Sequence, residues 1–390
     1  MQAIRLNLNH VRKELKLLGL NKTAINRFAS QNITHAFTLR GIPEAIIPFL
    51  ENEVSAQKTA AIFTLKSNRP FVGTNAVITG SEAELSAVCN SLKEKGGAAA
   101  SLGQLLHNSL YKLYRQKPRE LKLGKHLLPL GEKTLIMGIL NVTPDSFTDG
   151  GQFDQLESAL AQAHKMAQDG ADIIDIGGES TRPGSKKIPA EDELKRIIPV
   201  ITALKKDRSF KLPLSVDTYK AEVAEQALDA GVEMLNDVWG FKEDSAISRV
   251  AARYGVPVCL MHNRRSTDYT DLIPDILAEL EESIELAHRA GIDDTRIIID
   301  PGIGFGKNLQ QNLEVMHYLQ DFCNLGYPLL LGTSRKSMIG KTLELPAEER
   351  LEGTAATVAY GISVGADIVR VHDVLQMHRV AVMTDAMIRR

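Results

Sequence analysis

Between residues 134 and 390 the chain repeats one pattern eight times, a short run rich in Ile, Val and Leu followed by a longer amphipathic stretch. The runs are TLIMGILNV (134–142), DIIDIGG (172–178), PLSVDT (213–218), EMLNDVW (233–239), PVCLMH (257–262), RIIIDPG (296–302), PLLLGTS (328–334) and DIVRVHD (367–373). Each is too short for a helix and apolar on both faces, as a parallel strand covered by helices must be. Stretches such as QLESALAQAHKMAQDG, KAEVAEQALDAG and LAELEESIELAHRAG carry helical spacing and end on Gly, a frequent residue just past a helix C-terminus. Eight such units in roughly 260 residues predict a (β/α)8 TIM barrel, whose usual size is about 250 residues. An open doubly wound sheet is the competing arrangement. It is disfavoured because the first run lacks a GxGxxG turn and eight regular units would make an unusually long open sheet.

A chain of 390 residues has room for a second domain, and the expected division is 1–124 and 125–390. The first part alternates strand-like AAIFTLKS with helix-like SEAELSAVCNSLKEKG, which reads as a small α+β domain of unassigned role, and KHLLPLGEKTLIMG (125–138) reads as a hairpin plugging the barrel floor. The halves differ in charge. Residues 1–125 hold 18 Lys and Arg against 8 Glu and no Asp, a balance of +10, which leaves 28 basic against 40 acidic residues, or −12, for the rest. With no RNA-binding aromatic motif beside it, the basic charge reads as a solvated face and argues against nucleic acid as a partner. No apolar run reaches the ~18 residues of a membrane span, and the start, MQAIRLNLNHVRKELKLLGLNK, has no secretory pattern, so a cytoplasmic location is expected. Cys89, Cys259 and Cys323 are widely spaced, which points to buried small residues rather than disulfides or a thiolate metal site.

Nearly every run ends in a residue able to bind or catalyse: Asn141, Asp175 with Glu179, Asp217, Asn236, His262, Asp300, Ser334 with Lys336, and Arg370 with His372. In such barrels the loops after the strands' carboxyl ends build the active site, so these side chains are expected to converge on one mouth. Carboxylates at Asp217 and Asp300 beside the amide of Asn236 suit a planar heterocycle with several N–H donors. Arg182, Arg335 or Lys336, and Arg370 with His372 suit a diphosphate. Asn141 opens NVTPDSFTDGG, which adds Asp145 and Asp149; oxygen ligands beside a diphosphate fit Mg²⁺. Glycines at 150, 151, 177, 178 and 184 give the first two loops the character of lids. No HExxH, CxxC, P-loop or GxSxG occurs, which removes support for zincin, redox, Walker-type and serine-hydrolase chemistry.

Seven motifs in order, NVTPDSFTDGG, DIGGESTRPGS, SVDT, NDVWG, DPGIGFGK, GTSRKS and ADIVRVHDV, resemble those of the dihydropteroate synthase family, from about residue 134 to the end of the chain. The resemblance implies a pterin pocket of Asp217, Asn236, Asp300 and Lys336 with Arg370 stacked on the ring. It also implies Mg²⁺ and diphosphate at Asn141, Arg370 and His372, and an aminobenzoate site at Thr181, Arg182, Pro183, Phe305 and Ser337. Asp217, Lys336 and Arg370 are the implied catalytic set, and a homodimer through the last helices and sensitivity to sulfonamides are also implied. Lys186 and Lys187 have no obvious counterpart in the family and read as solvated tips. A methyltransferase moving a methyl group from methyltetrahydrofolate to a corrinoid shares the barrel and the pterin carboxylates but has no need of NVTPDSF and SRKS. A non-catalytic pterin-binding protein is the alternative from another class.

Overall fold

The computed structural model describes residues 2–6, 15–16, 18–19, 35–57, 59–64, 74–113, 120–143, 152–180 and 187–389. The chain divides into two compact units, Met1–Gln116 with Asn324–Gly326, and Lys117–Cys323 with Tyr327–Arg390.

The first unit is an antiparallel sheet in the order β1-β2-β4-β3, built from β1 (Gln2–Leu6), β2 (His35–Ile42), β3 (Ala60–Thr64) and β4 (Thr74–Gly80). Its helices are α1 (Ile47–Ala56), α2 (Glu82–Glu94) and α3 (Gly97–Leu113). Both segments cited from sequence take the expected form: AAIFT is β3, and α2 starts at a capping box in which Ser81 and Glu84 each accept the other's backbone N–H. Phe37 and Leu39 of β2, Ala76 and Ile78 of β4, and Leu85, Val88 and Leu92 of α2 share one buried core, the small α+β domain anticipated.

In the second unit β5 (Glu120–Leu123) and β6 (His126–Pro129) form the floor hairpin. It starts at Glu120 rather than 125, because Leu121 and Leu123 bury themselves in the barrel's lower core and so belong to this unit. There follow β7 (Leu135–Asn141), α4 (Gln152–Gln168), β8 (Ile173–Gly177), α5 (Ala190–Lys206), β9 (Leu214–Asp217), α6 (Ala221–Asp229), β10 (Met234–Asp237), α7 (Ala246–Tyr254) and β11 (Val258–Met261). The circuit continues with α8 (Leu272–Ala290), β12 (Ile297–Asp300), α9 (Leu309–His317), α10 (Leu319–Cys323), β13 (Leu330–Leu331), α11 (Ser337–Leu343), α12 (Leu351–Ser363), β14 (Ile368–Val371) and α13 (Val374–Ile388). All eight strands from β7 to β14 lie in one sheet in the order β12-β11-β10-β9-β8-β7-β14-β13. A parallel bridge from Ile299 to Leu329, with Ile299 N donating to Pro328 O at 3.0 Å, closes the ring. The seventh strand is only two residues long.

Strand periodicity then sorts the interior. Met137, Ile173, Met234, Cys259, Ile298, Leu330 and Ile368 point inward and pack with the hairpin leucines, each large aliphatic side chain contributing about 1.5–3 kcal/mol of burial. Side chains alternate between faces, so the residue two positions on also faces inward, one layer higher. That places Asp175, Asn236, Met261, Asp300, Gly332 and Arg370 above the apolar layer, with Asn141 at the end of β7 on the same parity. The same lattice that fills the floor with methyl groups thus lines the mouth with polar ones.

Candidate active site

Four of the inward polar side chains form one connected group, with Asp300 beside it. Asp175, fully buried, accepts through Oδ2 from Arg370 Nε at 2.6 Å and from Asn236 Nδ2 at 2.9 Å. Arg370 Nη2 reaches across to Asp217 Oδ2 at 2.7 Å. Asp300 accepts the Gly302 N–H at 2.7 Å through Oδ1. A Cβ placed on Gly332 would lie 3.8 Å from Asp300 Oδ2 and 4.0 Å from both Arg370 Cβ and Lys336 Nζ, so the absence of a side chain there leaves space among all three. A Cβ on Gly177 would likewise lie 3.7 Å from Asn141 Oδ1 and 3.7 Å from Asp217 Cβ. The structure therefore brings Asn141, Asp217, Asn236, Asp300, Lys336 and Arg370 to one mouth.

Burial dominates the electrostatics of this group. It pushes the Asp217 carboxyl up to about 7 against the pull of Arg370, and raises Asp300 against Lys336. Burial pushes the Lys336 ammonium down to about 8, with Asp300 opposing. Asp217 Oδ1 and Asp175 Oδ1 are buried with no hydrogen-bond partner among the described residues. A buried acceptor left unsatisfied costs roughly 1–3 kcal/mol, so such atoms at the bottom of a mouth are suited to a ligand bearing N–H groups.

An apolar wall stands beside these charges. Tyr219, Val238 and Met261 pack with Trp239 and Phe305, and Lys336 Nζ sits 4.3 Å from the centre of the Phe305 ring while donating to Ile303 O. Ser337 opens α11, exposed. His372 places Nδ1 3.0 Å from Ser334 Oγ, which also accepts the His372 backbone N–H.

Four expectations need correcting. His262 follows Met261, so strand parity turns it out of the mouth; its Nε2 lies 3.1 Å from Glu279 Oε2 on α8 and its Nδ1 2.9 Å from Lys307 Nζ. Glu179 is occupied beside the mouth, accepting from Tyr219 Oη at 3.1 Å and from Lys220 Nζ at 2.5 Å. Arg335 is held by Asp373, with Nε 2.9 Å from Oδ2, so its charge is already matched. Cys89 and Cys259 are buried free thiols and Cys323 is half-buried. Lys187 is not a bare solvated tip, since it pairs with Glu243 at 2.7 Å and lies 5.2 Å from the Tyr219 ring centre. Thr181, Arg182 and Pro183, together with Asp145, Asp149, Gly150, Gly151, Gly184 and Lys186, lie outside the described residues.

Two residues that organise the site received no role from sequence reasoning. Asp175 was legible only as one of many polar strand ends, although its place two positions beyond the core residue Ile173 marks it as inward-facing. Lys307 closes the glycine-rich DPGIGFGK, a position that reads as a surface lysine until the loop is folded.

Among the described residues no cluster of three or more His, Cys, Asp or Glu side chains is arranged to hold a metal, and no described helix is long and apolar enough to cross a membrane.

Comparison with known proteins matches the sequence profile of the pterin binding enzymes to residues 137–372. A dihydropteroate synthase of Clostridium beijerinckii is 56% identical over 271 residues, spanning 69% of this chain and 100% of that one. Among solved structures, dihydropteroate synthase of Clostridium difficile, determined in the presence of pteroic acid, is 52% identical with a TM-score of 0.65, covering 67% of this chain and 99% of its own. The Yersinia pestis dihydropteroate synthase, solved with a sulfonamide drug complex, is 39% identical with a TM-score of 0.65, covering 70% of this chain and 100% of its own.

Proposed function

The chain belongs to the dihydropteroate synthase family of pterin binding enzymes, and from that premise we propose how its barrel mouth works. The reaction condenses 6-hydroxymethyl-7,8-dihydropterin diphosphate with 4-aminobenzoate, giving 7,8-dihydropteroate and diphosphate in folate biosynthesis. The arylamine nitrogen forms the C–N bond to the pterin methylene carbon, the C–O bond breaks with its electron pair leaving on diphosphate, and the amine gives up a proton. No protein nucleophile is required. The protein's work is to hold the ring, balance charge on the departing group and exclude water.

The observation that carries this reading is the unpartnered, buried Oδ1 of Asp217, flanked by Asn236, Asp300, Lys336 and Arg370. Asp217 and Asp300 accept N–H groups of the pterin edge, Asn236 donates and accepts, and Lys336 donates as an ammonium. The Asp217 carboxylate also stands close to the positive charge that develops as the C–O bond opens. Arg370, fixed by two carboxylates, presents its planar face to the ring. Phe305 and Ser337 are the described residues assigned to aminobenzoate, the side that sulfonamides would target, and the family motif adds Thr181, Arg182 and Pro183 to that role.

Mg²⁺ is the proposed metal. Asn141 Oδ1 at the mouth supplies one neutral oxygen, which fits an ion that takes its other ligands from diphosphate and water rather than from a protein cage. When bound, the ion would offset charge on the leaving diphosphate. His372, beside Ser334, lies at the end of β14 where that group departs. Outside the mouth, Val382, Met383, Met387 and Ile388 near the end of α13 are 55%, 60%, 58% and 44% exposed, and these apolar side chains support a homodimer through the last helices. Three free thiols fit the cytoplasm.

Purified full-length protein with Mg²⁺, the pterin diphosphate and 4-aminobenzoate is expected to release diphosphate and form dihydropteroate. Asp217→Asn and Lys336→Ala should each lower turnover at least about 100-fold, ~2.7 kcal/mol, with the unfolding midpoint little changed. Near-normal product formation from either variant would overturn the assignment of its residue.

A further inference from the structure

We propose that Lys307 is a positioning residue for this reaction: its buried amine is the hub around which the loop 302–306 folds, and through that loop it sets Phe305 against the aminobenzoate site. The inference rests on the reading of Phe305 given above.

Lys307 is 9% exposed, and its Nζ lies 2.9 Å from His262 Nδ1, 2.9 Å from Gly302 O and 3.0 Å from Phe305 O. Burial pushes this amine down to about 7 against the pull of Asp300, and as an ammonium its three donors match the two carbonyls and the ring nitrogen. The two carbonyls bracket the loop, so the amine ties its first and fourth residues together. The backbone can wrap this closely because Gly302, Gly304 and Gly306 adopt φ of 69°, 85° and 55°, and a Cβ on Gly302 would come within 1.9 Å of His262 O. The third acceptor anchors the hub. Nδ1 of His262 can accept only if the ring is neutral and carries its proton on Nε2, which lies 3.1 Å from Glu279 Oε2 without a hydrogen bond to it. Burial, with Lys307 adding to it, pushes His262 down to about 3 and so keeps it neutral. Although burial works the other way, His262 and Arg264 hold the Glu279 carboxyl down to about 2. Glu279, His262 and Lys307 thus connect α8 to the loop after β12.

What that loop presents decides why its shape matters. Gly302 N fixes Asp300 Oδ1, the Ile303 carbonyl receives Lys336 Nζ, and the Phe305 ring lies 4.3 Å from the same nitrogen. Asp300 and Lys336 have anchors in strand β12 and at the start of α11; the Phe305 backbone is carried by the loop, while its ring packs with Tyr219, Val238, Met261 and Trp239. Loss of the hub therefore falls first on Phe305.

The test is Lys307→Met, which keeps length and removes the donors, assayed in the full chain well below its unfolding midpoint. The KM for 4-aminobenzoate is expected to rise about tenfold while kcat and the KM for pterin diphosphate change by less than about threefold. In a Phe305→Ala background the same substitution should add little, because residues acting through one another are not additive. A lowered midpoint with both KM values unchanged, or full additivity with Phe305→Ala, would overturn the proposal. Should Lys307→Met not fold, Glu279→Gln loosens the same chain from a half-buried position; it is expected to raise the aminobenzoate KM alone, and an unchanged KM overturns the proposal. Absence of any diphosphate release from the unsubstituted protein would instead remove the functional reading itself.

Discussion

Arg370 Nη2 donates to Asp217 Oδ2 at 2.7 Å while the other oxygen of the same carboxylate, also buried, has no partner among the described residues. The guanidinium holds Asp217 in place and leaves Oδ1 presented for a ligand. Arg370 is itself fixed from behind by Asp175 at 2.6 Å, so three residues from β8, β9 and β14 make one preformed acceptor.

Asp175 is therefore expected to matter without meeting the reacting atoms. In Asp175→Asn the charge that Arg370 Nε and Asn236 Nδ2 share disappears, a loss of about 1.5–3 kcal/mol for hydrogen bonds to a charged group. Calorimetric affinity for a 6-hydroxymethylpterin ligand should fall about 10- to 100-fold. Unchanged affinity would show that Arg370 and Asn236 keep their orientation without it.

The pH dependence follows from two opposed shifts. Asp217 accepts N–H groups only as a carboxylate, and burial has raised it to about 7, so kcat/KM for the pterin diphosphate should decline as pH falls below that value. Lys336 donates as an ammonium and burial has lowered it to about 8, so kcat/KM should decline again above pH 8. For the ligand-free fold the sign of the Asp217 effect reverses. A carboxyl raised in the folded state contributes stability below its unfolded value, near 4, and loses it as pH climbs toward 7. A flat kcat/KM profile from pH 6 to 9 would contradict both assignments.

Metal removal should act on the diphosphate and spare the ring. Chelation is expected to abolish diphosphate release and added Mg²⁺ to restore it, while 6-hydroxymethylpterin still binds. Asn141→Ala should raise the Mg²⁺ concentration for half-maximal rate about tenfold, since it removes the oxygen ligand proposed among the described residues. An unaltered Mg²⁺ requirement would exclude Asn141 as a ligand.

Asp385 provides the contrast of a buried carboxylate with no chemical duty. On α13 it accepts Thr134 N at 2.6 Å and Thr134 Oγ1 at 2.8 Å, tying the last helix to the start of β7, and takes Arg389 Nε at 2.7 Å. Asp385→Ala should lower stability by roughly 2–4 kcal/mol in denaturant unfolding, with both KM values unchanged. Altered KM values with unchanged stability would reverse this reading.

Much of the barrel was written in the sequence because its rules are local. An apolar run bounded by turns must form a covered strand wherever it lies, and a period of two determines which residues share a face. Applied strictly, that period places Asp175, Asn236, Asp300 and Arg370 inside and His262 outside. Treating every polar strand end alike put His262 in the mouth. The start of the floor hairpin was less visible, since Leu121 and Leu123 look like any two alternating leucines until the barrel interior receives them.

The sequence by itself determined the eight-strand circuit, the polar rim and, through its motifs, the family. Only the tertiary structure decided which of those polar groups satisfy one another. Arg370 meets Asp175 and Asp217 across 195 and 153 residues of chain, and Lys307 meets His262 across 45. Such pairings arise from closure of the ring, which sets strand ends side by side whatever their separation along the chain. They leave one oxygen of Asp217 open and turn a surface-like lysine into the centre of a loop.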